Sequence, residues 1–327
     1  MRATKKITRA ALQVIVLSIG TLTANGEPGD LFASVDGAPG NGVGSIFKYN
    51  PNGLQSTVAT GLARPRGLAF DSAGNLFVAT NLCDGTTWCH PTILKITPNG
   101  AQSTFATIPD SFFAQGVAID RSDNLFVMAI AWSNTVSIIY KLTPQGARNS
   151  FGFVPGHGMG LAFDSAGNLF AADATDQSIY KFTPDGTRSV FVGPDAFTKP
   201  ETGPIGLAFD RSGNLFVSTA VFPYNGDGIL RFTPQGAKSR FASGLPNPRG
   251  LIFDSAGKLF VAQIPPSASG DIVKFTRNGR ATVFASEIGI PEENGGPEYF
   301  AIQPARPDAS QWGPSKRSNL LAVNKGQ

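Results

Sequence analysis

One pattern of apolar and polar positions recurs along the chain. In GLAFDSAGNLFVAT, residues 67–80, an apolar run leads into the turn-forming residues DSAGN and then into a second apolar run. Close copies begin at Gly116 (GVAIDRSDNLFVMA), Gly160 (GLAFDSAGNLFAAD), Gly206 (GLAFDRSGNLFVST) and Gly250 (GLIFDSAGKLFVAQ), at spacings of 44 to 49 residues. Short apolar runs bounded by Asp, Ser, Gly and Asn predict β-hairpins. A second unit fills the intervals: KITPNGAQSTFA from Lys95, then KLTPQGARNSF, KFTPDGTRSVF, RFTPQGAKSRF and KFTRNGRATVF. Each reads as strand, turn, strand, because Pro presets the turn and Gly accepts the conformation that closes it. Four strands in a unit of about 46 residues, repeated, is the pattern of a β-propeller.

The two ends complete the count. GDLFASV from Gly29 matches a second strand, and FKYNPNGLQSTVA from Phe47 matches a third and fourth. The missing first strand lies at the other end, where PEYFAIQ (297–303) aligns with PRGLAFD (65–71). The expected fold is all-β: a six-bladed β-propeller with four strands per blade, the last blade closed by N- and C-terminal strands. Such closure covers edges that would otherwise invite strand addition. Near-continuous apolar character is expected of the inner strands, as elements buried on both faces.

Composition changes this picture only at the N-terminus. Arg2, Lys5, Lys6 and Arg9 precede the apolar run 10–19, and small residues Ala24 and Gly26 follow. That order predicts a secretory signal peptide over 1–26, ahead of a propeller over 27–307 and a polar tail over 308–327. Without residues 1–26 the basic count falls from 27 to 27 − 4 = 23, equal to the 23 acidic residues. The remainder carries no basic field for nucleic acid and no membrane anchor. The expected location is the periplasm or the extracellular space, and the expected state a monomer.

The GLAFDSAGNLFVA units followed by IYKFTPDG resemble the NHL-repeat and regucalcin/gluconolactonase-like six-bladed propellers, over roughly residues 29–303. In those propellers the first and third turns of each blade lie on one face. Here these are the monotonous ones, DSAGN and TPxG. The second turns vary (81–92, 129–137, 174–177, 219–228, 263–270) and place Trp88, Trp132, Phe222 and Tyr224 on the other face. Variable loops on a rigid scaffold suit binding. Cys83 and Cys89 share one such loop. A disulfide is expected of an exported chain, with a metal pair completed by His90 as the weaker alternative.

Aligned repeats define two rings at the channel mouth. The residue before each inner-strand glycine position gives Arg66, Gln115, Met159, Ile205, Arg249 and Glu298. The residue ending each second strand gives Thr80, Ala129, Asp173, Thr219, Gln263 and Val35. Glu298 is expected between Arg249 and Arg66, either as an ion-paired plug or as part of an anion-binding or acid–base site. The gluconolactonase resemblance implies a divalent metal (Ca, Mg or Zn) held by Glu, Asp and Asn. The matching positions offer Glu298 and Asp173 but no Asn, with Asn81 and Asp36 one step out of register. Virginiamycin B lyase-type propellers pair a His with a nearby Glu, which His157 in GHGMG lacks, and amidating lyases need a His cluster where only His90 and His157 exist. DSAGN lacks the acids of a calcium loop and reads as a capped turn.

Two expectations follow. The first is an exported propeller, with no cofactor, that binds a small polar molecule, glycan or protein at the variable-loop face through Arg66, Arg249, Glu298, Asp173, Trp88, Trp132 and Tyr224. The alternative is a metal-dependent lactonase or lyase with Glu298 and Asp173 as ligands and His157 as catalytic base.

Overall fold

The structure is a computed structural model, which describes residues 29–37, 43–83, 89–133, 135–197, 202–221, 225–265, 269–289 and 296–304. Residues 1–28 and 305–327, which include the expected signal peptide and tail, lie outside the described residues.

Six four-stranded antiparallel sheets form the six blades, with one 3-10 turn at Pro194–Ala196. The inner strands of blades 1 to 5 are Leu68–Phe70, Ser111–Ile119, Gly158–Phe163, Thr202–Phe209 and Pro248–Phe253. Blade 6 takes its inner strand, Pro297–Ile302, from the C-terminal end and its other three, Leu31–Val35, Val43–Tyr49 and Gln55–Ala63, from the N-terminal end. The join is antiparallel, with Leu31 opposite Ile302 and Ala33 opposite Phe300.

Outside blade 6, whose inner strand Pro297–Ile302 is buried at five of its six positions, the second strands are more fully buried than the inner ones. LFASV (31–35) and LFAAD (169–173) are buried at every position. Inner strands such as Gly158–Phe163 and Pro248–Phe253 are part-buried at the second, fifth and sixth of their positions. A propeller is radial: the second strand is sandwiched between blades, while the inner strand turns one face to the channel. The expectation for the inner strands is corrected on that ground.

Phenylalanines tie the blades together. Phe77, Phe126, Phe170, Phe216 and Phe260 of the second strands meet Phe105, Phe151, Phe191, Phe241 and Phe284 of the outer strands edge to face, at 4.8–5.0 Å between centroids. Phe126, Phe170 and Phe216 also meet Phe163, Phe209 and Phe253 of the next blade's inner strand. Edge-to-face pairs add directional attraction to the burial of large apolar surface.

The repeated glycine has a packing cause. A Cβ on Gly67, Gly116, Gly160, Gly206 or Gly250 would lie 2.5–2.6 Å from a backbone carbonyl of Gln115, Met159, Ile205, Arg249 or Glu298, each in the next blade. The inner strands touch backbone to backbone, and only glycine fits there. Blade 6 carries Tyr299 at this position. The DSAGN turns are capped as expected: Asp71, Asp120, Asp164, Asp210 and Asp254 each accept the backbone N–H of the residue four positions on.

Candidate functional site

The channel mouth on the second-turn face opens into a cavity of about 540 Å³. Five of the six first-ring positions line it: Arg66, Gln115, Met159, Ile205 and Arg249. In blades 2 to 5 the ring residue and the residue after it sit in a break of the register, for example between Gly158 and Leu161 and between Pro248 and Leu251, and in blade 6 Glu298 alone does. The break frees the ring side chain from the blade's alternation. Read around the ring, Arg249, Glu298, Arg66 and Gln115 form a polar arc and Met159 and Ile205 an apolar one. Buried Ile130 lines the cavity as well. A second cavity, of about 360 Å³, lies at the inner-strand ends on the other face and is lined mostly by apolar residues such as Phe70, Phe209 and Phe253.

Glu298 is buried and sits between two arginines. Arg66 Nη1 lies 2.8 Å from Glu298 Oε1, and Arg249 Nε lies 3.9 Å from Glu298 Oε2. Arg66 also donates from Nη2 to Asp36 Oδ2 at 2.7 Å, and its guanidinium lies 5.4 Å from the centre of the Phe113 ring. Burial opposes the Arg66 charge, but Glu298 and Asp36 outweigh it and raise its pKa. Burial raises the Asp36 pKa, with Arg66 opposing and Glu298 reinforcing the shift. Asp36, one step out of register with the ring, is thus a member of the cluster. The sequence signal was its place just after the second strand of the closing blade, beside the incoming Arg66.

Asp173 has a different task. Its carboxylate is fully buried and accepts N–H groups from Gly156 at 2.7 Å, Asp176 at 3.0 Å and Thr175 at 3.2 Å. Burial raises its pKa against the pull of those amides. It organises the 174–177 turn, of which Ala174, Thr175 and Gln177 face the cavity. His157 lines the same cavity, its carbonyl accepting the Ala174 N–H at 2.9 Å. Asn81 is buried and joins blades 1 and 2, donating to Ala114 O at 3.0 Å and accepting from Ala114 N at 2.7 Å.

These donor sets do not fit a divalent metal. A hard cation takes six or more oxygens. The Glu298 oxygens face guanidiniums, those of Asp173 are taken by backbone amides, and the Asn81 oxygen is held by Ala114. Among the described residues no group of three or more His, Cys, Asp or Glu is placed to hold a metal.

Asn247, which sequence reading passed over, lines the cavity at 1 % exposure, and neither atom of its carboxamide has a hydrogen-bond partner among the described residues. Its φ is 44°, a left-handed value that Asn tolerates and that the following Pro248 keeps outside the strand. Gln115 Oε1, Arg66 Nε and Arg249 Nε are likewise buried without a hydrogen-bond partner.

Cys83 and Cys89 are opposite one another in the blade 1 hairpin and form a disulfide, with Cys89 packed on Phe113 and Ile130. Trp132 is half-buried, and its indole N–H donates to Pro109 O at 2.9 Å. Trp88 and Tyr224 lie outside the described residues. No helix among the described residues is long and apolar enough to cross a membrane.

No family model and no curated protein matches the chain. Solved structures do match. Virginiamycin B lyase from Staphylococcus aureus is 17% identical, with 86% of this chain and 94% of that chain covered and a TM-score of 0.56. A protein described as a gluconolactonase is 16% identical, with 73% and 87% covered and a TM-score of 0.53. A protein of unknown function from Bacteroides caccae is 13% identical, with 84% and 98% covered and a TM-score of 0.57. At such identities these likenesses show the fold alone: the chain is a six-bladed β-propeller of the architecture also found in virginiamycin B lyase and gluconolactonase-like proteins.

Proposed function

We propose that the protein binds a small polar molecule in the channel-mouth cavity of its variable-loop face. One observation carries this reading: Asn247 is sealed in the cavity wall with both carboxamide atoms unpaired. A buried amide with no partner costs about 1–3 kcal/mol. A ligand that supplies the missing partners recovers that cost. The cavity is the size of a small-molecule site and combines apolar wall with a few converging polar groups. The disulfide supports export to an oxidising compartment.

A lyase or lactonase is the second reading, favoured by the place of His157 in the wall of the cavity that Arg66 and Arg249 also line. It would need to work without the metal implied by gluconolactonase-like propellers, because the donor sets are otherwise engaged.

Thermal-shift screening of small polar molecules, charged and neutral, tests binding. Hits are expected to lose their effect in Asn247→Ala. Hits that stabilise Asn247→Ala and Arg249→Gln as well as the parent would place binding elsewhere and overturn the proposal. Turnover of a bound compound that is lost in His157→Gln would move the enzyme reading first.

A further inference from the structure

We infer that the ligand of this cavity is a small carboxylic acid with an apolar flank, its carboxylate held by Arg249; this rests on the cavity-binding reading above. Residues 64–67 (RPRG) and 247–250 (NPRG) occupy the same place in blades 1 and 5. Arg64 and Asn247 share the left-handed backbone, with φ of 40° and 44°. Arg66 and Arg249 therefore approach Glu298 from its two sides with the same local geometry.

Their pairing differs. Arg66 has a close partner on each terminal nitrogen, Glu298 at 2.8 Å and Asp36 at 2.7 Å. Among the described residues Arg249 has Glu298 alone, at 3.9 Å, and its buried Nε has no hydrogen-bond partner. The cause lies in the preceding blade. Asp36 follows Val35, the last residue of the second strand in blade 6. The same register in blade 4, one step after Thr219, holds Ala220. Ala220 is buried and lines the cavity with Arg249. The arginine is thus repeated without its second acid, and the space left by an alanine lies in the cavity.

A part-buried guanidinium whose N–H donors lack a close acceptor among the described residues is matched by a carboxylate. Asn247, two residues before Arg249 on the same wall, offers a donor and an acceptor to a neighbouring hydroxyl or amide of the ligand. Met159 and Ile130, from blades 3 and 2, and Ile205, from the neighbouring blade 4, line the rest of the cavity and suit an alkyl or aryl flank rather than a second charge.

Matched pairs of probes test this: mandelate with mandelamide, benzoate with benzamide, and lactate with lactamide, with inorganic phosphate and sulfate alongside, by titration calorimetry on the mature protein. The acids are expected to bind about tenfold or more tightly than their amides, the effect of one charge-assisted contact. Mandelate and benzoate are expected ahead of lactate. Arg249→Gln should erase the acid–amide difference, and Arg249→Lys should keep part of it. Ala220→Asp should restore the missing pairing, abolish acid binding and leave the melting temperature equal or higher. Acids and amides that bind equally would overturn the carboxylate assignment and leave the cavity reading standing. The same holds if phosphate or sulfate binds in preference to the acids, or if Ala220→Asp binds acids as before. Failure of all probes, neutral and charged, would overturn both.

Discussion

Arg66 grips Glu298 at the joint where the two ends of the chain meet, with Nη1 2.8 Å from Oε1. Both groups are largely buried, and Arg249 stands on the far side of the same carboxylate. Removing one partner of a buried ionic cluster strands the others. Glu298→Gln leaves two guanidiniums with Asp36 as their one remaining acid, and the expected loss is about 3–5 kcal/mol. Urea unfolding of the variant measures it. A loss within a few tenths of a kcal/mol would mean that the cluster is hydrated and contributes little.

The closing strand is the second prediction. Pro297–Ile302 buries Tyr299, Phe300 and Ala301 and pairs with Leu31–Val35. Each large apolar side chain returned to water costs about 1.5–3 kcal/mol, and the strand's ladder and the Glu298 cluster go with it. A chain ended at residue 295 is expected to lose the cooperative unfolding transition of the parent. A melting curve like that of the full chain would show that blade 6 closes in some other way.

Glycine at the blade seam yields a paired test. In Gly160→Ala the new Cβ would lie 2.6 Å from Ile205 O and 3.2 Å from Gly206 Cα, both backbone atoms that no rotamer change can move. Overpacking of this kind costs about 1–3 kcal/mol. Gly193 has φ of −95° and nothing within 4 Å of an added Cβ. Gly193→Ala is therefore expected to be neutral or to stabilise by up to about 1 kcal/mol through the unfolded chain. Equal melting temperatures for the two variants would refute the close-approach account.

Acidity of Asp36 gives a pH prediction. Burial raises its native pKa above the ordinary 3.8. Between those two values the folded state holds a proton that the unfolded state has lost. Stability from this group is therefore full below pH 3.8 and falls as the pH rises through the native value. The free energy of unfolding of the parent, minus that of Asp36→Asn, is expected to decline with rising pH across that window. A difference that grows with pH would reverse the sign and show that Arg66 outweighs burial.

The blades were legible in the sequence because each strand announces itself locally. Apolar runs bounded by DSAGN or TPxG need no distant partner to be read, and the broken first repeat at Gly29 is completed by residues 297–303 through self-similarity alone. The ring positions follow from the same register, which by itself puts Glu298 between Arg66 and Arg249. The tertiary structure decided what each ring residue does. Asp173 looked like a channel acid, but a turn of backbone amides folds over it, and no local pattern encodes that. Asp36 joined the cluster because blade 6 packs against blade 1, a contact between residues that repeat alignment places in different units. Asn247 stands where blade 1 has Arg64, and nothing in that alignment marks it as functional. Its significance rests on burial without a partner, a property of the space around a side chain and not of its neighbours in the chain.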